Sequence, residues 1–199
     1  ELIQHIIASQ TDITDIAVVD NRGKEVIRKS TGVNGKSGFT DRSQNIEFLA
    51  VKQRGYYIGP VYLSQGKPLF LMGRAISSAD GKTMRGAVFA LFTADMLLDQ
   101  LNDTSGQKGV FAFIVNEKGI VVVHPTFSYM NEQKDASRNL SVQLALAGDG
   151  TLARIYSNEL TEKVVGSGVP LMITSDLHTQ ISTGWFVIME TPASIVFAI

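Results

Sequence analysis

The chain contains no cysteine. That excludes a disulfide scaffold, a thiolate zinc site and a cysteine nucleophile, and confines redox chemistry at sulfur to methionine. It also lacks a charge excess. Eighteen Lys and Arg stand against 19 Asp and Glu, a formal net charge of -1, so the basic footprint that nucleic acid or an anionic lipid patch needs is missing. No apolar run reaches the roughly 18 residues of a membrane-spanning helix, and no basic-then-apolar leader opens the chain. The fragment as it stands is expected to be soluble. Its helix-like start at residues 1–7 and its apolar end at residues 193–199 are expected to continue into something longer. What is present is 199 residues with 44% hydrophobic content, sufficient for one large domain or two small ones.

Short β-branched and aromatic runs separated by turn signals dominate, which is a strand signature. A hairpin is predicted from residues 16–19 and 25–27, with Asp20, Asn21 and Gly23 supplying the turn chemistry. After a Gly-rich stretch, Asp41 or Ser43 is expected to cap a helix running to about Arg54. Its apolar spacing is carried by Ile46, Leu49, Ala50 and Gln53, and Gly55 is placed to stop it. Three antiparallel strands at 56–63, 68–77 and 84–92 follow, then a helix over 94–102.

The pattern then starts again. Ala17 to Gly23 reappears as Phe113 to Gly119, 96 positions later, and Gly86 to Thr93 matches Gly184 to Thr191, 98 positions later. Two modules are therefore predicted, over residues 1–106 (with an N-terminal helix) and 107–199. Each is a hairpin, a helical crossover and a three-stranded meander, giving an α+β fold with a roughly five-stranded, mixed or antiparallel sheet flanked by helices.

Enzyme motifs fail on context. Ser30-Thr31-Gly32-Val33-Asn34-Gly35-Lys36-Ser37 nearly spells a P-loop, but Ser30 stands where the first glycine belongs. Gly38 follows directly, and hairpins rather than βα units come next. His5, His124 and His178 are scattered. Asp176 and His178 can share a strand face, yet no third metal ligand accompanies them. No nucleophile elbow or metalloprotease helix occurs. The chain reads as non-enzymatic, with no catalytic residue, metal or cofactor.

Together, Val19 to Val26, Tyr57 to Tyr62 with Pro68, Gly86 to Phe89, Phe113 to Pro125 and Gly184 to Val187 resemble a double Cache sensory domain. Those are the paired PAS-like modules found outside the membrane in bacterial and archaeal receptors. The resemblance spans nearly the whole chain, although only about ten residues of the family's long first helix are present. It implies a small-molecule sensor on the periplasmic or extracellular face, anchored by flanking helices and possible as a homodimer. Its ligand would sit in the membrane-distal first module. The output beyond the second module would be a histidine kinase, chemotaxis transducer or cyclic-nucleotide enzyme. A ligand-free dimerisation module is the alternative, and a cytoplasmic PAS pair a third.

Arg54-Gly55-Tyr56-Tyr57 is similar to the Arg-x-Trp-Tyr core of amino-acid-binding members, with Tyr56 at the Trp position and Leu49 near the place of a further aromatic. That likeness implies a carboxylate held by Arg54 and the aromatics and an amine held by Asp95. Asp95 aligns with Ala193, so a helix start works without the acid there, and Thr93 and Thr191 are expected to cap. Tyr56 and Tyr57 point to opposite faces of their strand. Phe70, Met72, Arg74 and Ile76 share one face, so the Arg74 guanidinium must be paired or solvated. Tyr62 can offer its hydroxyl to the same space. The predicted ligand set is Arg54, Tyr56, Tyr57, Tyr62, Arg74 and Asp95. A zwitterion or small carboxylate suits it better than a sugar.

Overall fold

One turn is built twice. The Asp20 carboxylate accepts the backbone N–H of Arg22 and of Lys24, each at 2.9 Å. The Asn116 side-chain oxygen accepts those of Lys118 at 2.9 Å and Ile120 at 3.0 Å. Gly23 and Gly119 take φ of +87° and +76°, which favours glycine. A Cβ there would come within 2.7 Å of the Ser43 backbone in the first turn and 2.9 Å of the Ser137 backbone in the second. The likeness runs on past the turn. Asp41 bridges Lys24 and Asp135 bridges Ile120, and each aspartate accepts the N–H of the serine two residues on, at 2.8 Å.

The computed structural model describes residues 12–31, 39–104, 109–158, 161–174 and 180–197. The predicted N-terminal helix at 1–10, His5, residues 32–37 of the P-loop-like stretch with Gly38 after it, and Asp176 with His178 lie outside them. The chain divides into two units, Glu1–Asp95 and Met96–Ile199, ahead of the expected 106/107 boundary, so that nearly all of the connecting helix falls in the second.

The first unit contains β1 (Ile13–Asp20), β2 (Glu25–Ser30), α1 (Ile46–Arg54), β3 (Tyr56–Ile58), β4 (Tyr62–Ser64), β5 (Lys67–Ser77) and β6 (Met84–Thr93). Helix α2 (Asp95–Thr104) follows. The second unit then has β7 (Phe111–Asn116), β8 (Val121–Val123), α3 (Phe127–Asn131), α4 (Leu140–Leu146), β9 (Arg154–Ser157), β10 (Lys163–Thr174), β11 (Gln180–Pro192) and α5 (Ala193–Val196). Its sheet has the order β8-β7-β11-β10-β9. The first has β2-β1-β6-β5-β3 with β4 also on β5, and every pairing is antiparallel. The α+β expectation holds, with six strands in the first sheet rather than five. The single strand expected over 56–63 is broken because Pro60 has no N–H to give.

Three further expectations are corrected. Helix α1 starts at Ile46 behind Asn45, which makes no side-chain cap bond. The Asp41 carboxylate is already used in its own turn. The buried residues of α1 are Phe48, Ala50 and Val51, whereas Ile46 and Leu49 are exposed. Thr93 and Thr191 are strand residues, and α5 begins behind Pro192 without a side-chain cap.

The register also corrects the alignment of the last strand. Ala17 lies opposite Phe89, and its counterpart Phe113 lies opposite Ile188. Phe89 thus corresponds to Ile188, one residue beyond the sequence match. A slip of one flips every side chain to the other face. Asp95 therefore corresponds to Ser194, and its comparison with Ala193 falls away.

Candidate functional site

In the first unit, α1 covers one face of the sheet. Val19, Phe48, Val51, Ala87 and Phe89 form its core, with Tyr57, Leu71 and Ala75 against them. That face also carries charge. Glu25 is 1% exposed; its carboxylate accepts the Thr40 N–H at 3.0 Å and Arg42 Nε at 2.6 Å, with Arg28 at 3.6 Å. Arg28 pairs with Asp15 at 3.1 Å, and Arg42 reaches Glu47 at 3.5 Å while lying over the Phe89 ring. Burial pushes the Glu25 pKa up, but the Thr40 N–H, Arg42 and Arg28 together outweigh it. The net shift is downward.

The six sequence-derived residues scatter around this sheet. Tyr57 pairs with Gly73 and Tyr62 with Leu69, which puts both on the α1 side. Burial raises both phenols, helped by Glu47 at Tyr57 and by Asp15 at Tyr62. Tyr56 pairs with Arg74, on the opposite face. The Phe70–Ile76 stripe is there as expected, away from α1. Arg54 and Asp95 are both exposed. The Ala75 N–H bonds the Gly55 carbonyl and the Ala94 N–H bonds that of Pro68, so Arg54 and Asp95 flank opposite ends of β5. Seven residues of strand, about 23 Å, lie between them. Neither Arg54 nor Arg74 therefore forms a clasp with Asp95 around one amino acid. Tyr56 and Arg74 are direct cross-strand neighbours on one face, whereas Tyr57 and Tyr62 share the other face four strand residues apart.

The second unit contains a cavity of about 120 Å³. Its lining includes Phe111, Phe113, His124, Tyr129, Lys134 and Glu190. Glu190 is 6% exposed. Its Oε1 accepts from Asn139 Nδ2 at 2.6 Å and from the Tyr156 hydroxyl. Asn139 is held in turn as the N-cap of α4, its Oδ1 accepting from Ser141 and Val142. Burial first, then Glu190, raises the Tyr156 pKa far above the ordinary phenol range, with Ser141 and Asn139 partly opposing. Tyr156 is therefore a donor here. The His124 ring lies 4.9 Å from Phe111, 5.4 Å from Phe113 and 4.5 Å from Tyr129. Its Nδ1 accepts the Thr126 N–H at 2.9 Å. Lys134 Nζ stands 3.6 Å over the Tyr129 ring.

Sequence reasoning missed this cluster, although signals were present. Tyr156 pairs with Val164 as Tyr62 pairs with Leu69, so the tyrosine singled out in the first copy has its counterpart beside Glu190. Glu190 itself was visible as the one acid in the apolar run 184–190. Reading it required the register that places 186, 188 and 190 on the α4 side.

No family model matches the chain, nor does any curated protein. Solved structures do. The extracellular domain of a protein described as a histidine kinase superposes with a TM-score of 0.65 at 14% identity, covering 98% of this chain and 78% of that one. The ligand-binding domain of the Campylobacter jejuni chemoreceptor Tlp3, in complex with L-valine, gives 0.63 at 14% identity over 98% and 72%. That of the Pseudomonas aeruginosa amino acid chemoreceptor PctC, in complex with GABA, gives 0.60 at 11% over 91% and 75%. The chain therefore has the tandem, PAS-like fold of these sensor domains, the double Cache architecture that its sequence resembles.

Proposed function

We propose that the chain is the extracytoplasmic sensor domain of a transmembrane signalling receptor and binds a small carboxylate or amino-acid-like molecule without turning it over. The observation that carries this reading is a half-open cavity on the helix-covered face of a sheet, in a fold whose solved neighbours include L-valine and GABA complexes. Mixed lining supports it: an apolar wall with a few fixed polar groups is what a small ligand needs to be held in one orientation. Within the first unit the proposal keeps Tyr57 and Tyr62, which share the α1-covered face with Asp15 and Arg28. Signal output by a kinase, transducer or cyclic-nucleotide enzyme, and anchoring through flanking helices, belong to the same proposal.

Thermal unfolding of the purified chain against a panel of amino acids and short carboxylates tests it. A ligand at about a hundred times its Kd stabilises the folded state by about 2.7 kcal/mol, which raises the Tm of a unit of this size by about 11–13 °C. A panel that leaves both units unmoved, with self-association seen in solution, favours the ligand-free dimerisation reading instead.

A further inference from the structure

We infer that the second unit carries a ligand site of its own, built for a short zwitterion whose ammonium group meets Glu190 and whose carboxylate meets Lys134. The inference deepens the sensor reading by naming the site and its chemistry. It starts from a comparison the duplication makes possible. The two turns, and the Asp41 and Asp135 bridges, align Glu25 with Val121 and Arg42 with Ala136. In the first unit those positions hold a buried ion pair, Arg42 Nε to Glu25 at 2.6 Å. In the second they hold two short apolar side chains that line the cavity. The volume that one copy fills with its own charges, the other leaves open.

Glu190 supplies the anchor. Both hydrogen bonds that its carboxylate receives go to Oε1, and among the described residues Oε2 accepts none and no cation pairs with Glu190. A carboxylate that is 6% exposed, held by Asn139 and Tyr156 and lining a cavity, is short of a cationic partner. An ammonium group supplies one with charge-assisted hydrogen bonds. The rings of Phe111 and Phe113 line the same space and favour a cation over their faces, whereas the Tyr129 face already carries Lys134. Lys134 brings a positive charge to the lining, which disfavours a plain amine and favours a ligand that carries a carboxylate as well. Size sets the remaining limit. A cavity of about 120 Å³, set against the roughly 10–15 Å³ needed to hold one water, admits roughly eight to twelve non-hydrogen atoms.

Three probes with one four-carbon chain separate the contributions: γ-aminobutyrate, butylamine and butyrate, titrated calorimetrically into the 199-residue chain. The expected order of affinity is γ-aminobutyrate, then butylamine, with butyrate weakest. Glu190→Gln keeps an oxygen for Asn139 and Tyr156, so the unit stays folded. Losing the charge should weaken γ-aminobutyrate and butylamine about tenfold to a hundredfold. Lys134→Gln, at a partly exposed position, should weaken γ-aminobutyrate and leave butylamine no weaker. Binding of γ-aminobutyrate that neither substitution alters would overturn this inference while leaving the sensor reading intact. So would butyrate binding as tightly as γ-aminobutyrate. Failure of all three probes at millimolar concentration also overturns it, and failure of the wider amino acid and carboxylate panel in addition removes the sensor reading itself.

Discussion

Glu25→Gln is expected to destabilise the first unit by about 3–5 kcal/mol, the usual cost of removing one partner of a buried ion pair. The substitution keeps the shape and an acceptor for the Thr40 N–H, but it leaves Arg42 facing a neutral group in a site where Glu25 is 1% exposed. The remaining acids are farther away or already engaged: Glu47 is 3.5 Å from Arg42, and Asp15 is paired with Arg28. The second unit suggests the control. Replacing both partners by its own residues, Glu25→Val with Arg42→Ala, removes the charges together and should cost far less than the two single changes summed. Urea unfolding of the four proteins decides this, and strict additivity would show that the pair is not coupled.

The same group sets an acid limit. Its folded pKa lies below its ordinary value of 4.5. Its contribution is therefore fully present above about pH 4.5 and is lost as pH falls through the lower, folded value. The wild-type first unit should lose stability in that acidic window, and Glu25→Gln should flatten the loss.

What the sequence disclosed, and what it withheld, follows from how local each signal is. The hairpins at Asp20 and Asn116 were legible because an Asx side chain and a glycine three residues later fix their own turn, whatever surrounds them. The stop of α1 at Gly55 was legible for the same reason: its φ is +83° and its N–H bonds the Val51 carbonyl. The buried face of α1 was not, because Ile46 and Leu49 satisfy a helical period as well as Phe48 and Val51 do. Only the sheet beneath decides between them. The candidate site suffered most. Arg54 and Asp95 came from the likeness to the Arg-x-Trp-Tyr core and Arg74 from its strand face, and strand register then separated them by face and by length. The Glu190 cluster joins residues 51 and 34 positions apart in sequence, Asn139 and Tyr156 to Glu190. Spacing rules do not reach so far.

Phe89→Ala is the other change with a large expected effect, about 3–5 kcal/mol for emptying a core phenylalanine, with up to about 2 kcal/mol more from the lost contact with the Arg42 guanidinium. Phe89 is 1% exposed at the centre of the first unit's core, and the guanidinium carbon lies 5.5 Å from its ring centre. The ring fits because its neighbour across the strand has no side chain: a Cβ on Gly73 would come 2.5 Å from Phe89 Cε1 and 2.9 Å from Val51. The second unit repeats the device with Gly168 opposite Ile188, where a Cβ would come 2.6 Å from the isoleucine. Two consequences follow. Phe89→Ile, which borrows the residue of the other copy, should cost clearly less than Phe89→Ala because much of the volume stays. Gly73→Ala should cost about 1–3 kcal/mol alone through overpacking, yet little or nothing in the Phe89→Ala background, where the new methyl enters the space the ring has left. A double-mutant cycle by denaturant unfolding measures the coupling. Independent, additive losses would mean that the ring does not rest on Gly73, and the register that equates Phe89 with Ile188 would lose its physical basis.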